Sequence, residues 1–311
     1  MADTDTRIGR ALRAAGSALR RFAYARPAES AVAIPRPRLG WALGGGFARG
    51  MAHIGVLKVL QENTIPVDAL AGVSAGGIAA AAFASGCTIQ EMIENARKVR
   101  WRQFARWTLP RLGFATNERL ESMLREMLHC TTFEELTIPL AVVATDISTG
   151  EAVTLCQGDL APAIRASSAV PGLFAPVEFE GRPLVDGSIV CGVPAAAVAE
   201  FGMDKIVGVC LNFGRLNHRP TNFFQVVGQA LQIAEARTQG TWRPQCDLVI
   251  EPDVSRFTWD DFDCLDEFIA TGEDATRAAL PRLRELLAAP VTTSARAASK
   301  TASPATSIET L

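Results

Sequence analysis

One serine stands in a setting that could make it reactive. Ser74 sits in Gly72-Val73-Ser74-Ala75-Gly76, between a short apolar run, Val67 to Ala71, and a small-residue run, Ala75 to Ala84. This is the pattern of a nucleophile elbow, where a strand turns sharply into a helix and leaves the serine hydroxyl at the bend. Such a turn tolerates only small neighbours, and Gly72, Ala75, Gly76 and Gly77 are all small. The hydroxyl then stands at a helix N-terminus, whose partial positive charge favours a nearby anion. A five-residue match also arises by chance, so the serine has to be read with its partners.

A serine nucleophile needs a base. There are three histidines, His53, His129 and His218. His53 falls in a helix after a glycine loop, His129 ends a surface helix, and His218 lies in a polar loop. Only His218 follows the best acid in the chain, and none sits where a serine–acid–histidine order would put it. The base is then an acid acting directly. Asp186 is the candidate, because Asp186-Gly187-Ser188 follows a strand and opens a loop between small residues. A carboxylate with an ordinary pKa of about 4 is a weak base for a hydroxyl. It needs desolvation to raise its basicity and an oxyanion hole to hold the tetrahedral charge. Asp146, at the end of another strand, is a second acid and fits a turn-capping role better.

The stretch Gly44-Gly45-Gly46-Phe47-Ala48-Arg49-Gly50 can supply that hole. Consecutive glycines let backbone amides converge on one point, and Arg49 adds positive charge. A dinucleotide reading competes with this one. A GxGxxG frame from Gly44 puts Arg49 at the sixth position, while Asp68 lies about 20 residues on, a plausible distance for a ribose contact. The serine elbow on the next strand has no place in a dinucleotide site, so the oxyanion reading is preferred.

The elements that must position these residues follow from periodicity. Leu39 to Leu43 reads as a strand. It is followed by the glycine loop, a helix carrying Ile54, Leu57, Val59 and Leu60, a second strand from Val67, and the elbow. This is a parallel βαβ unit whose two special loops emerge at the same sheet edge. Ile138 to Ile147 is a buried strand and Ala152 to Cys156 follows it across a turn. Leu160 to Ser167 is helical. Val177 to Phe179 and Pro183 to Val185 form a hairpin-like pair that delivers Asp186. A strand over Asp204 to Leu211, a helix over Thr221 to Thr241, a strand over Cys246 to Ile250 and a closing helix over Phe262 to Ala288 complete the domain, the last with potential breaks at Gly272 or Pro281. The uncharged run Ala69 to Gln90 is mostly alanine and glycine, which suits a packed helix rather than a membrane span.

The 311 residues, 48% of them hydrophobic, allow a sizeable core. The net charge of −2 gives no reason to expect nucleic acid. Seven cysteines are scattered without metal-clip spacing, and no secretory signal precedes them. They read as reduced thiols of a cytoplasmic protein. Residues 1–38 form an arginine-rich arm in which Ile8, Leu12, Ala15, Leu19 and Phe22 would share one helical stripe, so it is either a contact for an anionic membrane surface or a solvated extension. Basic and aromatic residues also interleave from Asn95 to Phe114, around Trp101 and Trp107, as either a lipid-facing flap or ordinary packing. Residues 290–311 have the composition of a disordered tail.

LGGGFARGMAHIGVLKVL, GVSAG and VDGS, in this order, together with VATDISTGE and RASSAVPGLFAPVEFEGRPLVDGS, resemble the patatin-like phospholipase family, in particular its short bacterial members. The resemblance covers residues 39–289. It implies a three-layer α/β/α sandwich with a mostly parallel central sheet, and a Ser–Asp dyad that cleaves carboxylic esters of lipids without metal or cofactor. Ser74 would be the nucleophile and Asp186 the base. Gly44, Gly45, Gly46 and Arg49 would form the oxyanion loop, Gly72 and Gly76 the elbow, and Gly187 and Ser188 the rest of the acid motif. Two features depart from the family: two residues, Phe47 and Ala48, separate the glycines from Arg49 where the plant-type loop has one, and the acid motif is DGS instead of DGG or DGA. The alternatives are a weakly catalytic regulatory or scaffold protein of the same fold, and a histidine-based acyltransferase or peptidase.

Overall fold

The computed structural model describes residues 36–99, 106–107, 113, 115–211 and 219–289. Strand β1 (Leu39–Leu43) runs into the glycine loop, a 3-10 turn (Phe47–Met51) and helix α1 (Ala52–Glu62). Strand β2 (Ala69–Val73) turns at Ser74 into α2 (Ala75–Ala84), and α3 (Ile89–Lys98) follows. A short ribbon of β3 (Arg106–Trp107) and β4 (Ala115–Thr116) precedes α4 (Glu118–Met127). Then come β5 (Leu140–Asp146), β6 (Ala152–Leu155), α5 (Leu160–Ser167), β7 (Val177–Phe179) and β8 (Arg182–Asp186). The chain closes with α6 (Ala195–Ala199), β9 (Lys205–Val209), α7 (Phe223–Trp242), β10 (Leu248–Ile250) and α8 (Leu265–Ala288).

Strands β10, β9, β1, β2 and β5 lie side by side and parallel, and β6, β7 and β8 join as antiparallel neighbours at the β5 end. Every residue of β1, β2 and β5 is buried, as a sheet covered on both faces requires. Alternate residues go to opposite layers. Leu39, Trp41, Leu43, Leu70 and Val142 pack with Val56, Leu57 and Leu60 of α1 and Ile269 and Leu283 of α8. Ala42, Ala69, Ala71 and Ala141 meet Ala195 and Val198 of α6 and Trp242 of α7. The three layers are thus unequal: large side chains face the helix-rich layer, while alanines let the short α6 approach the other face.

The closing helix runs unbroken through Gly272 and Pro281. Gly272 is a crossing point instead of a break. A Cβ there would strike the Ala52 carbonyl, and one at Gly55 would strike the Ile269 carbonyl, so the two glycines let α1 and α8 cross in close contact. A separate helix, α3, opens the basic–aromatic stretch with a Thr88–Glu91 capping box. Of the candidate membrane contacts, residues 1–35 and the side chains of Trp101 and Trp107 lie outside the described residues, as do His218 and the 290–311 tail. Arg36 is held on the domain by Asp68, at 2.7 and 3.0 Å. Asp68 also accepts the Leu39 amide at 2.7 Å, so the carboxylate weighed for a ribose contact is engaged in tying β1 to β2.

The register of β5 decides where Ser74 and Asp186 meet. Val143 pairs with Val73 at the end of β2, and the next residue, Ala144, pairs with Asp186 at the end of β8. β6 occupies positions 142–145 of β5, overlapping both partners, so β2 and β8 must share the opposite edge. The two strands run towards each other along that edge and stop one β5 residue apart.

Candidate active site

Ser74 occupies a backbone conformation, φ 51° and ψ −123°, that non-glycine residues avoid. Such a residue costs about 1–3 kcal/mol and persists only where the surroundings fix it. The Ser74 amide donates to the Ser167 hydroxyl at 2.9 Å, which donates in turn to the Val143 carbonyl at 2.6 Å. The elbow glycines do what their size suggested. A Cβ at Gly76 would run into the Leu43 and Gly44 carbonyls, and one at Gly72 would lie 2.5 Å from the Gly77 Cα.

Asp186 is almost wholly buried, with 2% of its surface exposed. Its amide donates to the Ala169 carbonyl at 2.9 Å, and its carbonyl accepts from the Thr145 hydroxyl at 2.9 Å. The end of α5 therefore grips both halves of the site, Ser74 through Ser167 and Asp186 through Ala169. The Asp186 carboxylate accepts the Ser188 amide at 2.9 Å, and Ser74 and Ser188 line the same pocket. Burial pushes its pKa up, and the Ser188 amide with the Ser74 and Ser188 hydroxyls pulls it down. Gly187 is needed for the approach: a Cβ there would strike the Val143 carbonyl and lie 2.7 Å from the Val73 side chain.

The glycine loop divides in two. The Gly44 amide donates to the Val209 carbonyl at 2.9 Å, continuing the β1–β9 ladder, so Gly44 is corrected from an oxyanion donor to a strand extension. Its carbonyl accepts from His53 Nε2 at 2.8 Å. His53 is fully buried and its pKa falls to about 4, so the ring is neutral with the proton on Nε2. Gly45 faces Ser74 and Ser188, since a Cβ there would strike the Ser188 hydroxyl and lie 3.8 Å from the Ser74 Cβ. Arg49 is 3% exposed, and burial lowers its pKa to about 10 against the opposing pull of Glu235, Asp261 and Asp260.

These groups enclose a cavity of about 10 Å³. Ser74, Asp186, Ser188 and Arg49 line one side, and Leu231, Gln232 and Glu235 of α7 line the other. Glu235 is buried, and its pKa rises to about 8 through burial and the Asp186 charge, with Arg49 opposing. On its outer face α7 exposes Phe223, Val226 and Ile233, three of the four large hydrophobic side chains that stand well exposed among the described residues.

Sequence reasoning missed Glu235, Ser167 and the loop-holding role of His53. Ser167 lies 93 positions from the amide it binds, and Glu235 faces the site only because α7 folds over it. The RASSAVPG text contained Ser167 but named no partner. Asp146 accepts the Ser148 amide at 2.9 Å and pairs with Arg182 at 3.1 Å, in keeping with a turn role. His129 faces Glu91 at 3.4 Å. Among the described residues no group of three or more His, Cys, Asp or Glu is arranged to hold a metal. The seven cysteines are free thiols, and burial raises those of Cys191 and Cys210 to about 12.

The fold and site define an α/β protein with a serine–aspartate pair at the meeting of two strand ends. The family model for patatin-like phospholipase matches residues 42–199, and the chain belongs to that family. It is 37% identical over 192 residues to an uncharacterized NTE family protein of Mycobacterium tuberculosis, covering 60% of this chain and 53% of that protein. A second such protein from the same species is 28% identical over 277 residues, covering 80% and 47%. The lysophospholipase nte1 of Emericella nidulans is 29% identical over 177 residues, 55% of this chain and 12% of that protein. The chain thus spans about half the length of the mycobacterial relatives it matches. Among solved structures, VipD from Legionella pneumophila aligns with a TM-score of 0.44 at 16% identity, over 79% of this chain and 67% of that one.

Proposed function

We infer that the protein is a lipid acyl hydrolase using Ser74 as nucleophile and Asp186 as its general base. Membership of the patatin-like phospholipase family supports lipid hydrolysis. The observation that carries the dyad is that Ser74 and the buried Asp186 line one pocket, where the Ser74 hydroxyl lowers the Asp186 pKa, at a bend held in a strained conformation. Asp186 takes the Ser74 proton as the oxygen attacks the ester carbonyl. The amides of Gly45 and Gly46, beside the Arg49 charge, hold the oxyanion, and each such donor is worth about 3–4 kcal/mol. Collapse expels the alcohol, which takes the proton from Asp186 and leaves an acyl-serine. Water, deprotonated by Asp186, then releases the acid. The raised pKa of Asp186 makes it a stronger base than an exposed carboxylate.

The apolar outer face of α7 supports work at a lipid surface. No helix among the described residues is long and apolar enough to cross a membrane. The regulatory alternative has one observation in its favour: a cavity of about 10 Å³ has room for about one water. Labelling with a fluorophosphonate probe decides between them. The hydrolase gives a covalent adduct at Ser74, lost in Ser74→Ala together with hydrolysis of p-nitrophenyl esters. A regulatory protein gives neither adduct nor turnover.

A further inference from the structure

Beside the polar pocket lies a second cavity of about 120 Å³. Its floor is one stripe of α2: Ala75, Ile78, Ala79 and Ala82, spaced i, i+3, i+4, i+7 and so on one helix face. Three of the four are alanine, and the missing bulk leaves the space. Met92 and Ala96 of α3 and Met123 and Met127 of α4 form the walls. Methionine is unbranched and adaptable, which suits a wall against a chain of variable shape. Among the described lining residues only Asn95 has a polar side chain, and no cation is present. A phosphate head group there would leave its charge unpaired at high cost.

The cavity starts one residue after Ser74. Phe47 is the single described residue that borders both it and the polar pocket. Phe47 is also one of the extra residues in the glycine loop. It is held at φ 54°, with its ring edge-on to Trp259 at 5.1 Å. An ester whose carbonyl sits at Ser74 must send its acyl chain somewhere, and the adjoining apolar space lies across Phe47.

We propose that this cavity binds the acyl chain of the ester attacked by Ser74, that it fits one chain of medium length, and that Phe47 determines specificity by steering the chain into it. The proposal rests on the acyl-hydrolase reading. From Ala75 to Ala82 the α2 stripe advances about 10 Å at 1.5 Å per residue. An extended alkyl chain advances about 1.3 Å per carbon, so about eight carbons fill the stripe.

The test is a molecular ruler. Rates on p-nitrophenyl esters of four to sixteen carbons are measured for the full chain and for Ala82→Phe and Ala79→Phe, which block the stripe far from and nearer to Ser74. The expected optimum lies near eight carbons, moves to shorter chains in Ala82→Phe and moves further in Ala79→Phe. The eight- to four-carbon ratio of kcat/KM falls about tenfold or more, the size of effect that lost methylene contacts produce. Phe47→Ala flattens the profile. An unchanged profile in active variants overturns the proposal. Decanoate binding to Ser74→Ala protein, with and without Ala82→Phe and with the far-UV circular dichroism and Tm of each checked, gives a readout independent of turnover: binding lost on blocking in a folded variant supports the cavity, and binding unchanged on blocking, or absent from the unblocked protein, overturns it. Failure of the hydrolase reading looks different, with no ester cleaved at any length and no fluorophosphonate adduct.

Discussion

Two spaces lie on either side of Phe47, and they are built on opposite terms. The polar pocket holds buried charges, a strained serine and almost no free volume. The cavity along α2 is larger and apolar, and it is made by small residues on a regular helix. The first spends stability to hold buried polar groups and a strained serine in one arrangement. The second forgoes packing contacts to keep room. The contrast teaches that a site can be unfavourable in two ways, by chemistry and by vacancy, and that each should answer to a different substitution.

Removing the chemistry should have the largest effect. Asp186→Asn is expected to lower kcat/KM on a soluble ester by about 10²–10⁴-fold, the usual contribution of a general base, in a stopped or continuous ester assay. Ser74→Gly should abolish turnover and yet stabilise the fold by about 1–3 kcal/mol, because glycine accepts the backbone angles that serine does not. Urea unfolding checks this, and a loss of stability would contradict a strained elbow.

Charge inside the pocket should appear as pH dependence. Glu235 is raised from 4.5 to about 8, so the folded protein keeps a proton that the unfolded chain releases between those values. Its contribution to stability therefore falls as pH rises through that window. Each pKa unit corresponds to about 1.4 kcal/mol, making the full span a few kcal/mol. Glu235→Gln should lose less stability than the wild type between pH 5 and pH 8, read as Tm against pH. Ser188→Ala removes a hydroxyl that lowers the Asp186 pKa and keeps the amide bond, so the acid limb of kcat/KM should move to higher pH. A limb that stays put or moves down would show that the hydroxyl does not reach the working carboxylate.

Filling the vacancy should have the smallest effect and the opposite sign. Ala82→Val adds apolar contact inside the cavity and should raise stability by about 1 kcal/mol or less. A comparable loss would mean that the space is already filled by the motions of Met123 and Met127.

Much of this was legible in the chain because it is local. Gly72 marks the elbow through a steric demand met within five residues, against Gly76 and Gly77. Leu39 to Leu43 and the alternation after it mark a buried parallel strand, since its run of apolar side chains has two faces to cover. What only tertiary structure decided depends on contacts far apart in sequence. The Gly44 amide looks like its neighbours until β9 arrives beside β1 and takes it. Glu235 is an ordinary helical glutamate until α7 folds over Asp186, and Ser167 one of two adjacent serines until its hydroxyl bridges Ser74 and Val143. Sequence determines which residues are small, strained or ionisable, because those are properties of single side chains and short turns. Which of them share one low-dielectric space is set by strand register and helix packing, and the register of β5, where β2 and β8 stop one residue apart, brings the hydroxyl to the carboxylate.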